Sequence, residues 1–135
     1  FFQADAGIRD PLWSRGLGDV YKRQGISDLI ASCTCVRVPV MRSHSVSVDA
    51  EFADPVDVDA ARSAVESAHG IDLVDDPGNL SYPMPLDFAN RENCGVGRIR
   101  KGLAFENGLS FWVVGDQLWK GAALNAIQIA ECLLE

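Results

Sequence analysis

No stretch of the 135 residues approaches the roughly 20 consecutive apolar positions that a membrane-spanning helix requires, so no membrane partner is expected. A charged-then-apolar leader of the secretory kind is also missing, and the expected location is cytoplasmic. Positive charge is scarce. Twelve Lys and Arg against nineteen Asp and Glu leave a net charge of −7, which argues against a nucleic-acid partner, because phosphate backbones are met by clustered Lys and Arg. Cysteine is sparse and badly spaced for metal: Cys33, Cys35, Cys94 and Cys132 offer one C-x-C and no C-x-x-C, with no histidine at ligand spacing, so no metal site is expected. The same sparseness speaks against a disulfide scaffold, and the four are read as free thiols in a reducing compartment. Neither G-x-G-x-x-G nor a Walker-type loop occurs, so the chain has no phosphate cradle of its own.

What is present has a globular composition, 47% apolar and 23% charged, at a length that suits one modest domain. Residues 1–24 stand apart from the rest. Gly7, Pro11, Gly16 and Gly18 interrupt every short apolar cluster there, and the stretch carries +1 while residues 25–135 carry −8. GIRDPLWSRGLGDVYKRQ resembles translated sequencing-adapter read-through. Residues 1–24 are therefore expected to be a non-native or disordered extension, with the domain proper over 25–135.

From residue 25 onward the pattern predicts an α+β layered domain with a mixed or antiparallel sheet and packed helices. A β-branched run from Ile30 to Val40 suits a strand that places Cys33, Cys35 and Arg37 on one face. Ser45 to Phe52 alternates Val46, Val48 and Ala50 with Ser47, Asp49 and Glu51, the period of a second strand. Asp57 caps a helix running to about His69, with Val58, Ala61, Val65 and Ala68 as its buried stripe and Gly70 as its left-handed stop. His69 in its last turn would complement the dipole. Ile71–Val74 is a short strand ahead of the turn Asp76-Pro77-Gly78, and Tyr82-Pro83-Met84-Pro85 reads as an ordered extended loop. Val96–Arg100 and Leu109–Val114 are strands joined through Asn107-Gly108, and Arg98 and Arg100 share a solvated strand face. Asp116 caps a last helix over Leu118–Leu134, whose stripe is Leu118, Ala122, Ala123, Ala126, Ile127, Ala130 and Leu133. Trp112 and Trp119 read as core or subunit-contact residues, and the four cysteines as small packing residues.

The stretch from Cys35 to Ser45 is the most informative for chemistry. It sets Arg37 on the first strand and His44 just past the turn that ends it. An arginine so placed can clamp a carboxylate through two parallel hydrogen bonds, and a histidine can give or take a proton near neutral pH. Taken alone, an Arg and a His seven residues apart are more often a surface ion pair and a solvated histidine.

A resemblance changes that weighting. CVRVPVMRSHS resembles the signature of the aspartate-semialdehyde dehydrogenase family, and VGRIRK followed by WVVGDQLWKGAALNAIQIAE is similar to that family's carboxy-terminal motif, so that essentially all of residues 25–135 are covered. The resemblance implies a carboxy-terminal catalytic and dimerisation domain of the glyceraldehyde-3-phosphate-dehydrogenase-like kind, without the amino-terminal Rossmann domain. It implies His44 as general acid/base, Arg37 as the holder of the substrate's α-carboxylate, and Gln117 as a contact to the NADP cofactor. Free N–H groups at the start of the last helix would favour a polar or anionic ligand beside Gln117. The small-molecule substrate would be β-aspartyl phosphate or aspartate semialdehyde, and the assembly a homodimer or homotetramer. Residues 117–134 would form a terminal helix packing on the missing nucleotide-binding domain. Neither Cys33 nor Cys35 occupies the place of the family's nucleophile, which lies upstream of these motifs, so the chain alone is expected to be inactive. A non-catalytic dimerisation module or inactive homologue, and a relative of N-acetyl-glutamyl-phosphate reductase, stay open as alternatives.

Overall fold

A computed structural model describes Thr34 and residues 36–134, in a chain that divides into two units, Phe1–Pro39 and Val40–Glu135. Of the first unit only Thr34 and residues 36–39 are described; they are exposed and belong to no regular element. The Ile30–Val40 strand is thus not found over Val36–Val40, where Pro39 lacks an N–H for a ladder. Ile30–Cys33 and Cys35, like the stretch 1–24, lie outside the described residues.

The second unit is built on a four-stranded mixed sheet. Its strands are β1 (His44–Glu51), β2 (Ile71–Leu73), β3 (Cys94–Lys101) and β4 (Gly108–Gly115), in the order β1-β4-β3-β2. β1 and β3 each pair antiparallel with β4, and β2 pairs parallel with β3. The β1–β4 register runs from His44 opposite Gly115 to Glu51 opposite Gly108, so Val46, Val48 and Ala50 share a face with Val113, Phe111 and Leu109.

That face is covered by α1 (Val58–Ser67), the connection from β1 to β2. Asp57 caps it as its sequence position requires, accepting from the Ala60 N–H at 2.9 Å, and Gly70 follows with φ +75°. Val58, Ala61 and Val65 pack with Ile71, Leu73, Phe111 and Val113 against the buried trio Val96, Ile99 and Leu109. The helix ends at Ser67 because Ala68 N–H turns back to the Val65 carbonyl at 3.2 Å, which leaves His69 beyond the last turn rather than in it.

The opposite face is shaped by missing side chains. Gly95 and Gly97 of β3 lie opposite Val114 and Trp112, and on that side Pro83 and Phe88 sit against the bare strand. A Cβ on Gly95 would lie 2.3 Å from the Phe88 ring and 2.7 Å from Pro83; one on Gly97 would lie 2.0 Å from the Val74 carbonyl oxygen. Phe88 and Val114 are buried there, and Trp112 Nε1–H donates to the Pro83 carbonyl at 3.2 Å.

Several expectations are corrected. Pro85 does not extend the preceding loop but opens a one-turn helix, α2 (Pro85–Phe88), where its fixed φ suits the first helical position. The β3–β4 connection is longer than a two-residue turn: Gly102 N–H meets the Gly108 carbonyl at 2.8 Å, and Gly108 already belongs to β4. Arg98 and Arg100 are both exposed and line one groove as expected, but they reach it through a bulge rather than as alternate residues of a regular strand. Two residues, Arg98 and Ile99, stand between pairings that skip only Phe111 on β4, a bulge with Arg98 at φ +56°. Asp75 holds that bulge, accepting from Arg98 N–H at 2.7 Å, Ile99 N–H at 3.2 Å and Arg62 Nε at 2.8 Å. The last helix is not α-helical throughout: a π-helical turn, Trp119–Ala123, precedes α3 (Leu124–Cys132). Its predicted stripe is open, with Leu118, Ile127 and Leu133 all more than half exposed, and Cys132 is exposed rather than packed because no described element covers α3.

Packing of Pro83 and Phe88 on glycine predicts that Gly95→Ala lowers stability by about 1–3 kcal/mol, the usual cost of overpacking. A urea midpoint unchanged from the parent chain would show that this contact contributes nothing.

Candidate functional site

The site lies where β1 begins and β4 ends. Met41 to Ser43 lead into His44, the first residue of β1, while Gly115, its partner across the sheet, is followed at once by Asp116 and Gln117. Two side chains tie these segments together. Gln117 Oε1 accepts from Ser43 N–H at 2.8 Å, and Asp116 Oδ2 accepts from Arg42 Nε at 2.6 Å. Ser43 needs such restraint: it has φ +77°, a conformation costly for a residue with a Cβ. Its Oγ is buried without a hydrogen-bond partner among the described residues.

Asp116 is fully buried, and its carboxylate gathers four donors. Besides Arg42, Oδ2 accepts from Asn90 N–H at 2.6 Å, while Oδ1 accepts from Leu118 N–H at 2.8 Å and Trp119 N–H at 3.3 Å. Burial would push this carboxyl up; the Arg42 side chain and the three backbone N–H groups outweigh it and hold the pKa at about 2. The cap expected at Asp116 is therefore present, with a consequence that the pattern did not carry. The N–H groups at this helix end are already answered by a carboxylate, so they do not form the anion-favouring site expected beside Gln117. Gln117 is half-buried, and with its carbonyl engaged by Ser43 its Nε2 amide is the end that can donate to a ligand.

Of the three residues singled out from sequence, the structure brings two together: His44, exposed on β1, and Gln117, joined to the residue next to it. Arg37 is exposed and belongs to the first unit. Arg42 and Ser43 were given no role by sequence reasoning. An Asp ahead of a helix is a capping signal, but nothing local pairs it with an arginine 74 positions earlier. Cys94 behaves as a packing thiol, its pKa pushed up by burial against the opposing pull of the Lys120 ammonium.

Comparison with known proteins places this arrangement. Residues 14–120 match the family described as semialdehyde dehydrogenase, dimerisation domain. The chain belongs to that family. The matched span opens inside the stretch 1–24 that charge and pattern set apart. Within the family the chain is similar to the aspartate-semialdehyde dehydrogenase of Synechocystis sp., 49% identical over 108 residues that cover 80% of this chain and 32% of that protein. The Bacillus subtilis aspartate-semialdehyde dehydrogenase is 42% identical over 118 residues, covering 87% of this chain and 34% of that one. Among solved structures, aspartate semialdehyde dehydrogenase II from Vibrio cholerae, complexed with ASA, superposes with a TM-score of 0.76 at 34% identity, over 86% of this chain and 35% of that one. This semialdehyde dehydrogenase domain thus spans about a third of the length of the relatives it matches.

The depressed Asp116 pKa has a definite sign. The carboxylate stabilises the fold above the ordinary Asp range, and that contribution is lost as pH falls from 3.8 towards about 2. Asp116→Asn should cost about 1–3 kcal/mol near neutrality by leaving backbone N–H donors of the cluster without a carboxylate oxygen, and the variant should lose less stability than the parent chain over the acid window. Denaturant titrations at a series of pH values check both; parallel stability curves for the two proteins would contradict the assignment.

Proposed function

We propose that the chain supplies the carboxy-terminal part of an NADP-dependent aspartate-semialdehyde dehydrogenase. That enzyme converts β-aspartyl phosphate to aspartate β-semialdehyde with loss of phosphate, in lysine, threonine and methionine biosynthesis. The observation that carries the reading is the Ser43–Gln117 hydrogen bond, which puts the proposed acid/base and the proposed cofactor contact at one end of one sheet. Family membership and the identity with dehydrogenases over most of the chain support it.

In this reading His44 gives and takes the proton, with its backbone held in the β1–β4 ladder and its imidazole open to a ligand. Arg37 offers a planar fork to the substrate's α-carboxylate. The Gln117 Nε2 amide is the donor turned to the nicotinamide cofactor, which would supply the hydride. Positioning is the role of the Asp116 cluster, since an acid/base held by a strand and by two hydrogen bonds from its neighbours Arg42 and Ser43 to residues 74 positions away loses little freedom on binding. The nucleophile and the dinucleotide-binding loop belong to the remainder of the enzyme, so the isolated chain is inactive. Residues 117–134 dock on that nucleotide-binding domain through the open apolar positions Leu118, Ile127 and Leu133. The assembly is a cytoplasmic homodimer, alone or doubled into a tetramer.

In the complete enzyme, His44→Ala should lower kcat by about 10²–10⁴-fold, the scale of a positioned acid/base. Arg37→Lys, which keeps the charge and loses the fork, should chiefly raise KM. Steady-state kinetics with aspartate semialdehyde in the reverse direction reads both, and a His44→Ala rate equal to the parent's would remove His44 from the mechanism. The 135-residue chain by itself should show no NADP-dependent turnover.

A further inference from the structure

We propose that Ser43 is a positioning residue for His44: its β-carbon confines the turn before β1 to one narrow conformation, which glycine would hold with less strain but less closely. This rests on the acid/base reading of His44 given above and names the residue that aims it.

Ser43 carries two costs at once. Its φ of +77° lies in the left-handed region, where a β-carbon crowds the backbone. The residue is 7% exposed, and its buried hydroxyl has no hydrogen-bond partner among the described residues. Glycine would remove both costs, since it enters the left-handed region freely and carries no polar side-chain atom. Three other non-glycine residues among those described have a positive φ: Leu80, Asn90 and Arg98. All three are exposed, and Arg98 belongs to the bulge that Asp75 holds. Ser43 alone of the four is buried, and it alone adjoins the proposed acid/base. Strain kept at such a position points to a use for it.

What the β-carbon contributes is precision. A residue with a β-carbon has one small allowed well at positive φ, whereas the region open to glycine there is broad. The sign of φ is set from outside. Ser43 N–H donates to Gln117 Oε1 at 2.8 Å, Arg42 before it is tied to the buried Asp116, and His44 after it pairs with Gly115. Held on both sides, residue 43 is kept from an ordinary φ, and its β-carbon narrows the range that remains. The peptide joining it to His44 is rigid, so a narrow range at residue 43 becomes a narrow range of directions for the imidazole. His44 is exposed, so its aim comes from the backbone rather than from packing. A reacting group misplaced by about 1 Å loses on the order of 10²-fold in rate, so a looser turn is felt in catalysis even where the fold gains.

Stability and rate should therefore move in opposite directions as Ser43 is replaced by alanine and then by glycine. Urea midpoints are read on the 135-residue chain; kcat and the KM for aspartate semialdehyde are read on the complete enzyme, with His44→Ala alongside. Ser43→Ala removes the hydroxyl and keeps the β-carbon, so it should raise the midpoint and slow the enzyme less than glycine does. Ser43→Gly should raise the midpoint further and lower kcat about tenfold, with KM within about twofold of the parent's. A misfolded variant cannot give that result, because its midpoint would fall. A Ser43→Gly enzyme with the parent's kcat, beside a slow His44→Ala, would overturn the positioning role and leave the acid/base reading intact. A slower enzyme with a lowered midpoint or a raised KM would overturn it too, since the serine would then serve the fold or the substrate. A His44→Ala enzyme as fast as the parent would remove the acid/base reading and the role of Ser43 together.

Discussion

One buried carboxylate holds together the end of the sheet where β1 begins and β4 ends. Asp116 takes its donors from three separate stretches: Arg42 in the turn before β1, Asn90 after α2, and Leu118 and Trp119 at the start of the π-helical turn. A charge with no contact to water is expensive unless its lone pairs are filled, and filling them here requires all three stretches at once. The placement of His44 and Gln117 follows, since each is one or two residues from a group that Asp116 binds. Gln117 then adds its own hydrogen bond to Ser43, which fixes the backbone at the one residue of that turn with a left-handed φ.

A second carboxylate does comparable work at the other side of the sheet. A bulge frees N–H groups from the ladder, and the Arg98 and Ile99 N–H groups so released are both taken by Asp75, itself paired with Arg62 of α1. The helix that covers one face is thereby tied to the irregularity that shapes the other. The bulge lets Ile99 enter the core with Val96 and Leu109 while Arg98 and Arg100 both reach the opposite groove. Strict alternation could not have supplied both.

Legibility in the sequence followed the range of the interaction. α1, its Asp57 cap and the left-handed Gly70 after it were readable because every partner lies within a few residues, although the helix ends earlier, at Ser67. β1 was readable from alternation and β4 as a strand following the Asn107-Gly108 turn signal, and the family motifs pointed to His44, Arg37 and Gln117. What escaped depends on distant partners. The Arg42–Asp116 pair spans 74 positions, and the Asp75-held bulge joins residues more than twenty apart. The glycines of β3 read as gaps in a strand until Pro83 and Phe88 are seen lying on them. The π-helical turn left no mark in the period of apolar residues.

The three surfaces of the second unit therefore answer to different constraints. The α1 side is closed by apolar contact and sets stability. The end of the sheet at His44 and Gln117 is organised by polar groups whose geometry matters more than their net energy, since a hydrogen-bonded buried charge contributes little beyond its own desolvation yet tolerates few alternative arrangements. The outer side of the last helix has neither kind of cover: Leu118, Ile127 and Leu133 are open on an element whose first turn is nonetheless anchored by Asp116. The helix is thus held at its first turn by the carboxylate that also binds Arg42 and Asn90, while its apolar positions further along are left without cover among the described residues.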